Sequence, residues 1–260
     1  MPPPTIDPTD PEALVKELFS DERWAKDQFF EHLSDPLLAL CEALAGCFRS
    51  MERLKNAAGQ INTQRISLVA AFMYGVLDDL VISTKLLLTG KLSAAGNVMR
   101  QVVEGIAMSI LCSTDDPLII AWKKKKPIKA LYWQKVWNED QQAQGYLAID
   151  QLNWNADKLG VTDAGVEQLR QAKKRYNAYS HCGTTTITCR VSIEEPGVFH
   201  LGGEFDEAKL DLYRAELVSR NALCRLLPGL IQHLTETMTP PGAVVARAVV
   251  PAQRADHQEQ

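Results

Sequence analysis

Residues 66–88 read ISLVAAFMYGVLDDLVISTKLLL, and the reading of this stretch decides the fold. Ile66, Val69, Phe72, Met73, Val76, Leu77, Leu80 and Leu87 recur at helical spacing and wrap more than half of the helix surface, the pattern of a helix packed on several sides. Asp78, Asp79 and Lys85 interrupt it and would be expensive in lipid, so a buried core helix is expected and not a membrane span. Asn62 or Thr63 can cap its start, and Gly90 supplies the residue needed to leave it. Past Ser93, Val98, Val102, Ile106 and Ile110 repeat at spacing four, while Ala94, Ala95, Gly96, Gly105 and Ala107 allow a second helix to come close. The fold expected from this centre is all-α: a helical bundle around a long antiparallel helix hairpin.

Working outward, 11–19 and 22–32 read as two short amphipathic helices, and Pro36 is expected to open a further helix to about Leu54, ended by the polar residues 56–60. After Asp115-Asp116-Pro117 a short helix is expected, then the run Lys123 to Lys126. Next comes a helix bearing Tyr132, Trp133 and Trp137, then one from Tyr146 to Lys158 closed by Gly160. Asp163 can cap the following helix, which carries Val166, Leu169, Ala172 and Tyr176. The β-branched alternation after Thr184, with a turn at 194–197, predicts a small β-hairpin insertion at about 184–202. Asp206 begins the last long helix, with Leu210, Leu217, Leu223, Leu226, Leu227, Leu230 and Leu234 on its buried side and a kink expected at Pro228. The organisation expected is a disordered N-terminus at 1–10, a single helical domain at 11–238 and a disordered C-terminal tail at 239–260.

A chain of 260 residues with 46% hydrophobic content can bury one substantial core. Its net charge of -4 gives no global attraction to nucleic acid, so any polyanion site must be a local one. The six cysteines are scattered without a C-x-x-C pair, and the first ten residues carry neither a basic nor an apolar signal region. A reduced, cytoplasmic protein is the simplest expectation.

Chemistry-bearing residues converge in one place, Arg175-Tyr176-Asn177-Ala178-Tyr179-Ser180-His181. An imidazole moves protons near neutral pH and a guanidinium grips two oxygens of a phosphate, a pairing suited to phosphodiester chemistry without metal. Against that, His181 is also well placed as a helix C-cap, with Tyr176 and Tyr179 filling the core. Arg100 and Glu104, four apart among apolar neighbours, are expected to meet Asp78 or Asp79 and either fix helix register or floor a pocket. His181, Cys182, Cys189 and His200 have the residue types of a zinc site but not the spacing of a common zinc module, and no metal or cofactor is expected. Two basic runs stand out. One is Lys123 to Lys126 with Lys129 and Lys135, interleaved with Trp122, Tyr132, Trp133 and Trp137; the other holds Arg170, Lys173, Lys174 and Arg175. The first combines phosphate neutralisation with stacking surfaces, as single-stranded RNA binding does, or is a solvated face.

The order Leu86-Leu87-Leu88-Thr89-Gly90, Ala94-Ala95, Arg100-x-x-x-Glu104 and then Tyr176-x-x-x-x-His181 followed by small polar residues resembles a group of bacterial helical proteins that is in turn similar to a distant branch of the HEPN superfamily. The resemblance covers about 65–234. It implies a helical bundle that dimerises and, in many members, a metal-independent ribonuclease built on Arg-x4-6-His. Arg175 and His181 fit with five residues between them, although Tyr176 takes the position where such proteins carry a polar residue and Asn177 follows one later. By resemblance, Arg175 would neutralise the scissile phosphate, His181 would move the proton and Asn177 would orient them.

The site expected is therefore catalytic His181, Arg175 and Asn177, with substrate contacts from Lys174, Lys173, Tyr179, Arg100 and Glu104. The expected function is an RNA- or nucleotide-binding protein, or ribonuclease, of a defence or toxin-type system, acting as a homodimer away from membranes. The alternative is a non-enzymatic helical interaction module in which the same residues are structural.

Overall fold

The structure is a computed structural model that describes residues 7–195 and 197–238. Residues 1–6 and the expected tail at 239–260 lie outside the described residues. Residues 7–10, read from sequence as part of a disordered N-terminus, form a turn in which Asp7 Oδ1 accepts from Thr9 N at 2.9 Å, and Asp10 caps α1 (Pro11–Leu18).

α2 (Arg23–Ile61) merges the two helices that the sequence separated. The break shrinks to one non-helical residue, Leu33, three before Pro36, so the proline sits in the first turn after a kink, where its missing N–H has no partner to lose. The polar residues 56–60 do not end the helix; it runs on because none of them is a strong helix breaker except Gly59, and Asn62 closes it in the left-handed region at φ 45°.

The central hairpin is as the periodicity predicts. α3 (Gln64–Leu87) is capped by Thr63, whose hydroxyl accepts from Ile66 N, and α4 (Leu92–Leu111) returns beside it. By length and apolar content α3 is the one helix among the described residues that could cross a membrane, but here it packs along α4 with Val69, Met73, Val76, Leu77 and Leu80 fully enclosed. Each such side chain contributes about 1.5–3 kcal/mol on burial. The turn between them needs Gly90, at φ +73°, where a Cβ would collide with the backbone of Glu204.

The insertion is a β-hairpin, but it lies elsewhere in the chain. β1 (Leu118–Lys123) and β2 (Lys126–Ala130) pair antiparallel where a short helix was expected, and Lys124 and Lys125 form the two-residue turn with φ 48° and 64°. Leu118 and Ile120 alternate into the core, and the Asn155 side chain acts as a third strand: its Oδ1 accepts from Ile119 N and its Nδ2 donates to Ile119 O, both at 2.9 Å. Conversely, the β-branched segment after Gly183 is helical, α9 (Thr184–Thr188), because the Thr186 hydroxyl accepts from Gly183 N at 3.0 Å and so caps the turn locally. Of the expected hairpin at 184–202 the described residues keep one bridge, Val191 to Phe199, flanked by Ser192 N donating to Val198 O and His200 N to Arg190 O.

Between these elements come α5 (Tyr132–Trp137), a short 3₁₀ turn at Gly145–Leu147, α6 (Ala148–Trp154) and α7 (Ala156–Leu159), the last two separated at Asn155, where one longer helix was expected. α8 (Asp163–Ser180) is capped by Thr162 and not Asp163, with the threonine hydroxyl accepting from Gly165 N. α10 (Leu210–Met238) runs through Pro228 as one helix, and Leu226, expected on its buried side, is exposed because the buried stripe passes through Leu227 instead. Proline has no N–H to offer the carbonyl of Cys224, and the Cys47 thiol donates to that oxygen instead at 3.0 Å, tying α2 to α10.

α2 and α10 run side by side in the same direction: the Phe29 and Tyr213 rings meet at 4.6 Å near their beginnings, and the Cys47–Cys224 contact follows further along. α8 packs on α4, where Ser93 Oγ donates to Tyr179 O and the Tyr179 ring lies directly on Gly96. A Cβ at Gly96 would strike that ring. We expect Gly96→Ala to lower the unfolding free energy by about 1–3 kcal/mol in urea titration, despite the better helix propensity of alanine, because overpacking outweighs it.

Candidate functional site around the end of α8

The structure divides the residues expected at the site into three places. Arg175, half exposed at 41% of its side chain, reaches across to α10, where its Nη2 donates to Glu216 Oε1 at 2.5 Å and its Nη1 to Ser219 Oγ at 2.9 Å. Tyr179 is buried and turns its hydroxyl to the same carboxylate at 3.5 Å, as does Tyr176. The other oxygen of Glu216 accepts from Arg220 Nη1 at 2.6 Å. Arg220 is fully buried; its Nη2 donates to Ser83 Oγ at 2.7 Å, and Ser83 in turn donates to Ala95 O at 2.8 Å. One hydrogen-bonded chain thus links α4, α3, α10 and α8.

Electrostatics follow from this. Burial alone would lower Arg175, but Glu216 more than offsets it and holds the guanidinium protonated beyond its ordinary range. Burial first, and then the Glu216 charge, push the Tyr176 phenol up to about 12, and the same causes raise Tyr179, so neither serves as an anionic base near neutral pH. Arg175 and Tyr179 therefore work as neutralising and packing groups for Glu216.

His181 is the C-cap of α8, in extended backbone at φ -116° and ψ 142°, and its side chain is exposed. Its carbonyl accepts from Thr186, while its imidazole has no hydrogen bond or ion pair among the described residues. Among the described residues no hydrogen bond or ion pair joins it to Arg175, whose partners are Glu216 and Ser219. Asn177 and Lys174 likewise have no side-chain hydrogen bond among the described residues.

The third place is the opposite face of α8. Arg100 Nε lies 3.2 Å from Glu104 Oε1, an ion pair within α4 in which both atoms are buried and neither has a well-aligned hydrogen bond. The Glu104 carboxylate presses on Gly145, and Lys173 Nζ donates to the neighbouring Tyr146 O at 2.5 Å. Arg100, Glu104 and Lys173 are therefore gathered around the turn at 145–146, beside a recess that Asp79 and Phe72 also line. Of the two acids proposed to face them, Asp79 shares the recess with Glu104 but forms no ion pair with Arg100, and burial followed by the neighbouring Asp78 raises its pKa.

Sequence reading missed Glu216, Arg220 and Ser83. The signal was present: Tyr213, Leu217, Arg220, Cys224, Leu227, Ile231 and Leu234 form the buried stripe of α10, and Arg220 stands in it where an apolar residue belongs.

A second polar cluster holds the loop before α10. Asp206 accepts from Ile193 N, Ala208 N and the buried Lys209 ammonium, which also donates to Val191 O at 2.6 Å. His200 Nε2 lies 3.9 Å from Asp206 and its Nδ1 4.0 Å from Glu204; burial lowers its pKa. Burial, with the Glu17 charge adding to it, pushes Glu204 up to about 7. Among the described residues no three His, Cys, Asp or Glu side chains are placed to hold a metal ion, and the six cysteines are unpaired.

No family model, curated protein or solved structure matches this chain. The fold and site by themselves define an all-α bundle with a β-hairpin insertion, locked by a buried Arg–Glu–Arg network.

Two outcomes follow. Glu216→Gln leaves the Arg220 guanidinium buried without a counter-charge and should cost about 3–5 kcal/mol by chemical denaturation, more than Arg175→Ala, whose charge can reach water. For Glu204, the folded state holds the proton more tightly than the unfolded chain, so its contribution to stability is present below about pH 4.5 and is lost as pH rises through 7. Thermal melts should therefore show Glu204→Gln gaining on the wild type between pH 5 and 8.

Proposed function

We propose that the protein binds single-stranded RNA through the β1–β2 hairpin and the surface beside it. The observation that carries this reading is the hairpin end: Lys123, Lys124, Lys125 and Lys126 are all exposed and have no ion pair among the described residues, next to the half-exposed Trp122. Trp122 meets Trp154 edge to face at 6.2 Å, and both present ring surface to solvent. A recess of about 240 Å³ beside them is lined by Trp154, Asn153, Lys129 and Lys158 among others. Ammonium groups neutralise a phosphate backbone, exposed indoles stack on unpaired bases, and amides read base edges. A chain of net charge -4 with five lysines (123–126 and 129) that have no ion pair among the described residues has a local electrostatic target for a polyanion.

The similarity to HEPN ribonucleases would add cleavage at His181. For that, Arg175 would have to leave Glu216 and Ser219 to take a phosphate, stranding a buried carboxylate, so the reading adopted is binding in which Arg175 is structural. A second reading, a helical interaction or dimerisation module, has its own observation: Leu18, Phe19, Phe199 and Leu201 are exposed, and the close approach of Gly202 to Glu17 brings their two segments together. The compartment proposed is the cytoplasm, on the strength of six unpaired thiols.

The test exploits the turn. Asn and Gly suit the positive φ at 124 and 125 better than lysine, so Lys124→Asn with Lys125→Gly should keep or raise the melting temperature while removing two charges. In fluorescence anisotropy with a single-stranded RNA oligomer, that variant and Trp122→Ala are each expected to weaken binding about 5- to 50-fold, the lysine variant with a shallower salt dependence. Wild-type affinity in both variants, or no RNA binding together with a stable dimer in sedimentation, would favour the interaction module. RNA cleavage in chelator that is lost in both His181→Ala and Arg175→Ala, with the fold retained, would restore the nuclease reading.

A further inference from the structure

A third recess lies on neither of these surfaces. It is a groove of about 550 Å³ between α2 and α10, with Arg49, Ser50 and Arg53 on one wall and Gln232, Thr235 and Glu236 on the other. That volume is within the range of small-molecule sites.

Two features set it apart from an ordinary charged helix face. Arg65, Arg100, Arg170, Arg175 and Arg220 each have a carboxylate within ion-pair distance. Arg49 and Arg53 have none among the described residues; Arg190 and Arg225 also lack one, but neither lines this groove. Four apart on α2, they share one stripe with Ala45 and Ala57 in place of acids, so the sequence sets like charges together, an arrangement that weakens an isolated helix. Secondly, the groove is kept open by absence of side chains. Gly46 and Gly229 face into it, and a Cβ at Gly229 would meet nothing within 4 Å, so no packing requirement of the bundle explains a glycine in mid-helix there.

We propose that this groove binds a small oligophosphate, gripped by the Arg49 and Arg53 guanidiniums. Two planar forks one helical turn apart match neighbouring phosphoryl groups, and the Gln232 amide stands along the same groove as a further donor, while the Ser50 and Thr235 hydroxyls donate to Gly46 O and Ile231 O of their own helices. Gln232 Nε2 donates to Glu236 Oε1 at 3.0 Å, which fixes a carboxylate at the groove wall. The lining offers two guanidiniums one turn apart and, among the described residues, no basic track continuing beyond them, which is why a small molecule and not an RNA backbone is assigned here.

The full chain would be titrated with inorganic tripolyphosphate by calorimetry at near-physiological salt, with sulfate as a monovalent-site control. Tripolyphosphate is expected to bind at one site and at least about tenfold more tightly than sulfate, since charge-assisted bonds from both arginines act only on the larger anion. The Arg49→Gln/Arg53→Gln pair and Gly229→Leu, which fills the groove without changing charge, should each reduce affinity about tenfold or more while the melting temperature holds. Glu236→Gln should tighten binding about two- to fivefold, an increase that loss of fold cannot mimic. The Lys124→Asn/Lys125→Gly variant should bind tripolyphosphate as the wild type does, which separates this site from RNA binding at the hairpin. The proposal is overturned if tripolyphosphate and sulfate bind alike, if the arginine pair loses nothing, or if those variants weaken only the RNA oligomer.

Discussion

The buried pair of Arg220 and Glu216 is the constraint around which the bundle is arranged. Both sit on α10, four residues apart, and both are removed from water, so each must find partners inside the protein. Those partners come from three other helices: Ser83 from α3, itself bonded to Ala95 O of α4, and Arg175, Tyr176 and Tyr179 from α8. A helix that slid or rotated by one residue would leave a charge unpaired in the core. An apolar seam tolerates such a slip far better, because leucine contacts are non-directional. The register of α8 against α10 is therefore set by electrostatics, and the apolar stripes supply the bulk of the adhesion.

This arrangement changes the meaning of the residues at the end of α8. Arg175 and His181 look like a pair on the sequence, but one is drawn onto the α10 face by Glu216 while the other lies past the last helical turn with no link to it. The cation is half exposed because it closes the outer side of the network, and it is held there by a carboxylate and a hydroxyl together. Among the described residues, cations without an ion pair stand beside a recess at the hairpin lysines and at the arginines of α2.

How far the sequence could be read follows the range of the forces involved. The α3–α4 hairpin was legible because its signals are local and redundant: apolar spacing, a threonine cap, a glycine exit and small residues for close packing all agree. The two hairpin-like regions were exchanged. Thr184 to Thr188 has high strand propensity, yet a hydroxyl bond to Gly183 suffices to close a helical turn. The lysine-rich segment at 118–130 has a weak strand signature, yet Leu118 and Ile120 gain a buried face and Asn155, far along the chain, completes the edge. In the candidate site, Arg100 with Glu104 was readable at spacing four; Glu216 with Arg220 has the same spacing, but Ser83, Arg175, Tyr176 and Tyr179, which make that pair a network, come from elements distant in sequence.

The sequence alone determined that this protein is helical, that 66–111 folds into a buried antiparallel pair, and that its charge is negative in sum but positive in patches, since periodicity, caps and composition act within a few residues of one another. Only the tertiary structure decided which cations are consumed and which remain free. Arg175 and Arg49 are alike in the sequence, each beside aromatic or apolar neighbours on a helix. One meets a buried carboxylate forty-one residues away and the other faces an open groove, and no local pattern records that difference, because a charge in a folded protein is defined by what the fold brings to it.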